Sequence, residues 1–195
     1  PATSLGMRTI GEEDSLRATA SKELQHYHDA WYQPNQIVVV LAGKMAHYQI
    51  PGIVYQVEQW FGDLKGKATK GFTTVPETQK APEGVVTTKP DASQAHFVLG
   101  LRTFARKNDA RYAWSLFNLI MGVSFTSRLF RQIREKRGLC YHIRSSSSSY
   151  ADVGNWSIYA GVATEKVSEA VKATIHELTK AAGHGVTEEE VSVAK

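Results

Sequence analysis

The segment that most constrains the fold is residues 127–141, S-R-L-F-R-Q-I-R-E-K-R-G-L-C-Y. Its pattern predicts a basic helix that ends at Gly138, because glycine commonly follows a helix C-terminus, and then a strand. Arg134 in the last turn and Tyr141 at the start of the strand are therefore expected to meet at one corner. A guanidinium and a phenol are donors suited to a carbonyl oxygen or a developing oxyanion.

The bulk composition excludes several classes of protein. With 195 residues, of which 42% are hydrophobic, the chain can bury a sizeable core, so disorder is not expected. The single cysteine, Cys140, rules out an internal disulfide and a cysteine-based zinc cluster. No apolar run approaches the roughly 20 residues that span a bilayer. We expect a soluble protein with no membrane span.

The two ends of the sequence indicate a segment of a longer protein. The chain begins at Pro1 without an initiator methionine or a signal sequence. Near the other end, Thr187 and Glu190 have the spacing of a capping box, which predicts a helix opening shortly before Lys195.

Residues 1–66 are interpreted as the C-terminal part of a first domain. An apolar stripe over residues 16–31 predicts a helix or a helix pair with a break near residues 19–21. Residues 37–42, I-V-V-V-L-A, predict a central strand covered on both faces. Residues 51–61 predict a helix over that sheet, with proline in its first turn and Gly62 at its end.

Residues 67–84 are rich in glycine, proline, lysine and threonine, and we interpret them as an interdomain linker. Residues 85–195 then form the N-terminal part of a second domain, with predicted strands at 85–88 and 95–101. A helix capped by Asp109, the basic helix, a hairpin of 141–150 with 155–162, and a helix ended by Gly183 follow. Helices and strands mix without βαβ alternation, so the fold class is α+β.

The sequence offers no convincing metal site, since neither H-E-x-x-H nor its inverse H-x-x-E-H occurs. His26 and His28 are two residues apart and point to different faces of their helix. Cys140, between Leu139 and Tyr141, is expected to be a buried, inert thiol. The serine run at residues 145–149 predicts an exposed or cavity-lining strand.

The basic helix admits two explanations from spacing alone. Cations near a helix C-terminus offset its dipole, so the arginines could be structural. A nucleic-acid surface is a weaker hypothesis, because Glu135 interrupts the charge and no aromatic platform lies beside it. The net charge of +4 has no long single-sign block, so we expect no nucleic-acid partner.

The chain resembles the pitrilysin/insulinase family of zinc metallopeptidases, in particular bacterial members similar to the mitochondrial processing peptidase β subunit. The segments that resemble the end of the family's first domain are residues 5–15, 32–35, 38–43 and 61–64. Those that resemble the start of its second domain are residues 94–100, 127–130, 134–141, 149–154 and 185–190. Their order and spacing make the match specific.

The resemblance implies a chamber of two related α+β domains, both incomplete in this segment. In active members the first domain binds zinc through an inverted H-x-x-E-H helix, which would precede Pro1. The second domain contributes an arginine and a tyrosine that contact the substrate, and Arg134 and Tyr141 occupy those positions. One departure is the sequence G-V-S-F at residues 122–125, where relatives often carry a glycine cluster, so a stiffer loop is expected.

Two hypotheses follow from the resemblance. In the first, the parent protein is a zinc endopeptidase of extended peptides, in which Arg134 and Tyr141 stabilise the substrate carbonyl while this segment alone binds no catalytic zinc and is inactive. In the second, the parent is a non-catalytic partner subunit of a processing-peptidase-like heterodimer. Expected partners are a peptide and the zinc-binding part of the same chain or of another subunit, in a homodimer or a heterodimer. The compartment stays open between bacterial cytoplasm and periplasm.

Overall fold

The computed structural model describes residues 6–67 and 81–195. The chain divides into two compact units, Pro1–Lys80 and Ala81–Lys195. Residues 68–80 of the predicted linker lie outside the described residues. Helices combine with a three-stranded antiparallel sheet, so the α+β class is confirmed.

The described part of the first unit is helical. The predicted helix pair is confirmed as α1, Glu13–Ala18, and α2, Ser21–Trp31. The second helix restarts after the break because the Glu23 carboxylate accepts the Ala20 backbone N–H at 2.9 Å. The third helix, α3, spans Ile50–Phe61 with Pro51 in its first turn and Gly62 at its end, as predicted.

The predicted central strand at residues 37–42 is wrong for the described structure. These residues form no strand, and Val38 and Val40 are 83% and 80% exposed. The predicted strand at residues 85–88 fails in the same way. β-Branched residues favour a strand only where a neighbouring strand takes up the main-chain hydrogen bonds. None of the described residues provides such a neighbour for either segment.

The second unit contains the sheet, with strands β1, Ala95–Thr103, β2, Cys140–Ser149, and β3, Gly154–Val162. The order is β1-β3-β2, and both pairings are antiparallel. β2 and β3 form the predicted hairpin, closed by a hydrogen bond from Tyr150 N–H to the Val153 carbonyl at 2.7 Å.

The core lies on one face of this sheet. The alternate β3 residues Trp156, Ile158, Ala160 and Val162 are fully buried, as their alternation predicted. The helical layer over them includes α4, Arg111–Asn118, and α5, Val167–His184, with π-helical segments at Leu119–Val123 and Phe130–Glu135. Full burial of each large apolar side chain contributes about 1.5–3 kcal/mol, so this layer dominates the stability of the unit.

The structure shows the outcome for three predicted helix-capping residues. The Asp109 cap is wrong, because Asn108 Oδ1 accepts the Ala110 N–H at 2.9 Å and no side-chain cap precedes α4 otherwise. α5 passes through Gly183 and ends at Gly185, whose φ of +74° suits glycine. α6, Glu188–Ala194, begins with the predicted Thr187–Glu190 capping box.

A polar contact joins α4 to the sheet inside the core. Asn118 Oδ1 accepts hydrogen bonds from the buried Trp156 indole N–H at 2.6 Å and from Ser145 Oγ at 2.7 Å. Gly122 packs beside this contact, since a Cβ there would lie 2.7 Å from the Ser145 main-chain nitrogen. The helical layer therefore approaches β2 as closely as backbone atoms allow.

Replacing Asn118 by alanine should lower the free energy of unfolding by about 2–4 kcal/mol, because the buried Trp156 N–H would lose its acceptor. Urea denaturation of the protein measures the change. The matched control is Ser148→Ala on an exposed strand position, expected within about 0.5 kcal/mol of the parent. Equal stability of the two variants would contradict the assigned role of Asn118.

Candidate functional site

The predicted junction between the basic helix and the strand is present. Lys136 N–H donates to the Arg131 carbonyl at 3.0 Å, a five-residue spacing that marks the segment as π-helical. Gly138, with φ +58°, then turns the chain, and its N–H donates to the Arg134 carbonyl at 3.1 Å. The strand β2 begins two residues later at Cys140.

Arg134 and Tyr141 lie on either side of this junction, and both side chains are accessible. The Arg134 guanidinium lies over the Phe130 ring, with Cζ 4.7 Å from the ring centroid. Tyr141 is 59% exposed. In the described structure no hydrogen bond joins the two side chains. A role for the pair in substrate contact stays a prediction.

A β-bulge sets the direction of the Tyr141 side chain. The pairing of β2 with β3 shifts between Cys140 and His142, so Tyr141 is an extra residue opposite the partner strand. Cys140 and Ile143 are both buried in the core. Tyr141 and His142, which lie between these two buried residues, therefore project from the opposite face of the sheet. This is possible because a bulge places two successive residues against one partner. No sequence signal predicted this bulge.

Cys140 fills the core side of the same junction. Burial raises the pKa of its thiol to about 11, although the nearby positive charge of Arg134 acts in the opposite direction. Because the thiolate is the reactive form, the thiol is inert at neutral pH.

Alkylation of Cys140 at pH 8 should be more than about a hundredfold slower in the native protein than in the unfolded chain. Arg134→Ala should slow it further, because that change removes the charge that favours the thiolate. Mass spectrometry of iodoacetamide-treated protein follows the reaction. Rapid native-state labelling would show that the strand start is not packed as described.

Arg128 has a structural role that spacing alone did not reveal. Its guanidinium donates to both carboxylate oxygens of Glu190, at 2.9 and 2.6 Å, and to the Gly185 carbonyl at 3.3 Å. Glu190 also accepts the Thr187 N–H at 2.8 Å. The pair thus ties the basic helix to the capped start of α6. The hydrogen bond from Arg128 holds the pKa of the Glu190 carboxyl below its usual value.

The lowered pKa of Glu190 fixes the sign of a stability change with pH. A carboxylate that is more acidic when folded stabilises the protein above its unfolded pKa, and that contribution is lost as pH falls through the folded pKa. Glu190→Gln should lower the free energy of unfolding by about 1–2 kcal/mol at pH 7, with a smaller difference below pH 4. Urea denaturation across this pH range, with Glu189→Gln as control, measures it. A pH-independent difference would argue against the ion pair.

Across residues 6–67 and 81–195, no group of three or more histidine, cysteine, aspartate or glutamate side chains is placed to share a metal ion. Within the same residues, every helix is too short or too polar to cross a membrane.

Comparison with known proteins identifies the family. Residues 20–195 match the model of the peptidase M16 inactive domain. An uncharacterized zinc protease of Streptomyces coelicolor is 31% identical over 97% of this chain and 42% of its own length. Uncharacterized zinc proteases of Mycobacterium tuberculosis and Bacillus subtilis are each 32% identical over 98% of the chain, which covers 43% and 45% of them. The chain belongs to the M16 peptidase family, as an inactive-domain segment.

Solved structures show the same fold. The peptidase M16 inactive domain from Pseudomonas fluorescens superposes with a TM-score of 0.81 at 23% identity, over 96% of this chain and 44% of that one. A protease from Helicobacter pylori gives 0.78 at 21% identity, over 95% and 45%. The predicted family and fold class are confirmed. The chain spans less than half the length of these relatives.

Proposed function

We propose that this chain is the substrate-gripping segment of a zinc-dependent endopeptidase that cleaves extended peptides. Family membership supports the proposal, together with relatives that are named zinc proteases. In this proposal residues 1–66 belong to the first domain, 67–84 link the domains, and 85–195 begin the second. The observation that carries it is the exposure of Arg134 and Tyr141 on either side of one junction.

The residues described do not fit a catalytic zinc site, because no three ligands converge among them. The zinc of the proposed enzyme would therefore be held by another part of the parent protein. By this proposal the segment alone is inactive, and its contribution is binding and orientation of the peptide.

The chemistry assigned to Arg134 and Tyr141 follows from their donors. The guanidinium is always charged and donates through a planar fork, while the phenol donates a single hydrogen bond. Peptide hydrolysis builds negative charge on the carbonyl oxygen, and fixed donors stabilise that charge more than they stabilise the neutral substrate. The stacking of Arg134 on Phe130 limits the rotation of the guanidinium before substrate arrives.

In the full-length protein, Arg134→Ala should reduce kcat/KM for peptide cleavage by about 10- to 1,000-fold, and Tyr141→Phe by about 10- to 100-fold. Bound zinc, measured by elemental analysis, should not change. The matched control is Arg137→Ala, which removes an exposed cation from the same helix end and should leave kcat/KM within about twofold.

An unchanged kcat/KM of the Arg134→Ala variant would contradict the proposal. The alternative of a non-catalytic partner subunit predicts a different result. Purified full-length protein would then bind no zinc and cleave no peptide alone, and activity would appear only with a second, zinc-binding subunit.

A further inference from the structure

The face of the sheet opposite the core, here called the open face, has an unusual charge composition. By strand register it comprises His96, Val98, Gly100 and Arg102 on β1, Asn155, Ser157, Tyr159 and Gly161 on β3, and His142, Arg144, Ser146 and Ser148 on β2. These positions include arginine and histidine but no aspartate or glutamate. A negative group on a ligand would meet no carboxylate at these positions.

The bulge adds Tyr141 to this face. His142 lies opposite Gly161, which has no side chain to separate it from β1, and Tyr141 is the extra residue just before it. A peptide that contacts Tyr141 from this side of the sheet lies over the open face. The next side chains it meets along β2 are then those of His142 and Arg144.

Arg144 is available for a ligand. Its register partner is Tyr159, its side chain is exposed, and within the described residues it forms no hydrogen bond or ion pair. An arginine without a carboxylate partner, beside a possible ligand path, can form the planar two-bond contact that guanidinium makes with a carboxylate.

Tyr159 organises the ring residues beside Arg144. Its hydroxyl lies 2.8 Å from His96 Nδ1, and the two rings stack with centroids 5.7 Å apart. The His142 ring lies on its other side, at 6.0 Å. Further along β2 and β3, Ser146 Oγ and Ser157 Oγ are hydrogen-bonded at 2.9 Å, so the open face remains polar there.

We infer that His142 and Arg144 form a subsite for a carboxylate of the bound peptide, next to the position where Tyr141 holds the main chain. The inference rests on the proposed function for the position of the peptide. The carboxylate comes from an aspartate or glutamate side chain or from the C-terminus of the peptide. The subsite thus gives the enzyme a preference for acidic peptides, and Arg144 is a specificity-determining residue.

The test compares peptides of about ten residues that carry one glutamate at successive positions with their glutamine twins. Each is prepared with a free and with an amidated C-terminus. Dissociation constants are measured by fluorescence anisotropy on the full-length protein with a chelator present, so that no peptide is cleaved. At one position or at the free C-terminus, the acidic peptide should bind about five- to tenfold more tightly than its neutral twin.

Arg144→Gln should abolish this preference and leave the dissociation constant of the neutral peptide unchanged, because Arg134 and Tyr141 remain. The control Arg137→Gln removes the same charge from a residue outside the sheet and should retain the preference. Equal binding of acidic and neutral peptides by the parent protein would overturn the inference. So would a preference that survives Arg144→Gln or declines equally in the control.

These experiments distinguish failure of the carboxylate subsite from failure of the proposed peptidase function. The carboxylate preference is a ratio of binding constants that needs no cleavage, whereas the proposed peptidase is tested by turnover of Arg134→Ala. A preserved binding ratio with unchanged turnover of that variant would retain the subsite and reject the role of Arg134.

Discussion

Burial of the inner face of β3 is the constraint on which the second unit depends. Trp156 and Ile158 can leave water only if the helical layer covers them, and the indole N–H of Trp156 can be buried only because Asn118 accepts its hydrogen bond. Asn118 also binds Ser145, so one side chain fixes α4 against two strands. In the second unit this helical layer lies on one face of the sheet, and the opposite face carries mostly polar residues.

The same packing positions the junction that carries Arg134 and Tyr141. Leu129 and Ile133 of the basic helix are fully buried in the core, which fixes the position of the helix over the sheet. Cys140 and Ile143 anchor the start of β2 from the core side. The accessible groups at the junction are therefore attached to a rigid base, which is what a donor pair must have if it is to act without reorganising.

Local sequence patterns predicted several elements correctly but did not show whether an apolar run finds a strand partner. The β3 alternation and the Thr187–Glu190 cap depend on neighbouring residues, and both are present. The apolar run at residues 37–42 has an equally strong local pattern but finds no strand neighbour among the described residues. Gly183 and Gly185 look alike in sequence, and only the local φ distinguishes the helix end.

Within the basic helix, the sequence pattern also failed to distinguish two arginines that have different environments. Arg128 and Arg134 are six positions apart in one charged stretch, yet Arg128 is held by a carboxylate 62 residues away while Arg134 lies over a neighbouring ring. Charge and spacing could not separate the structural arginine from the accessible one. The position of Tyr141 likewise depends on a strand irregularity that only the pairing with β3 defines.

The π-helical winding of Phe130–Glu135 has a consequence for how this family can vary. A π-helical turn holds one residue more than an α-helical turn, with a smaller rotation for each residue. Deleting one residue here would therefore restore ordinary winding and leave the side chains that follow near their present direction. Such a deletion should disturb the junction at Gly138 less than the same deletion in an uninterrupted α-helix, where each residue advances the helix by about 100°.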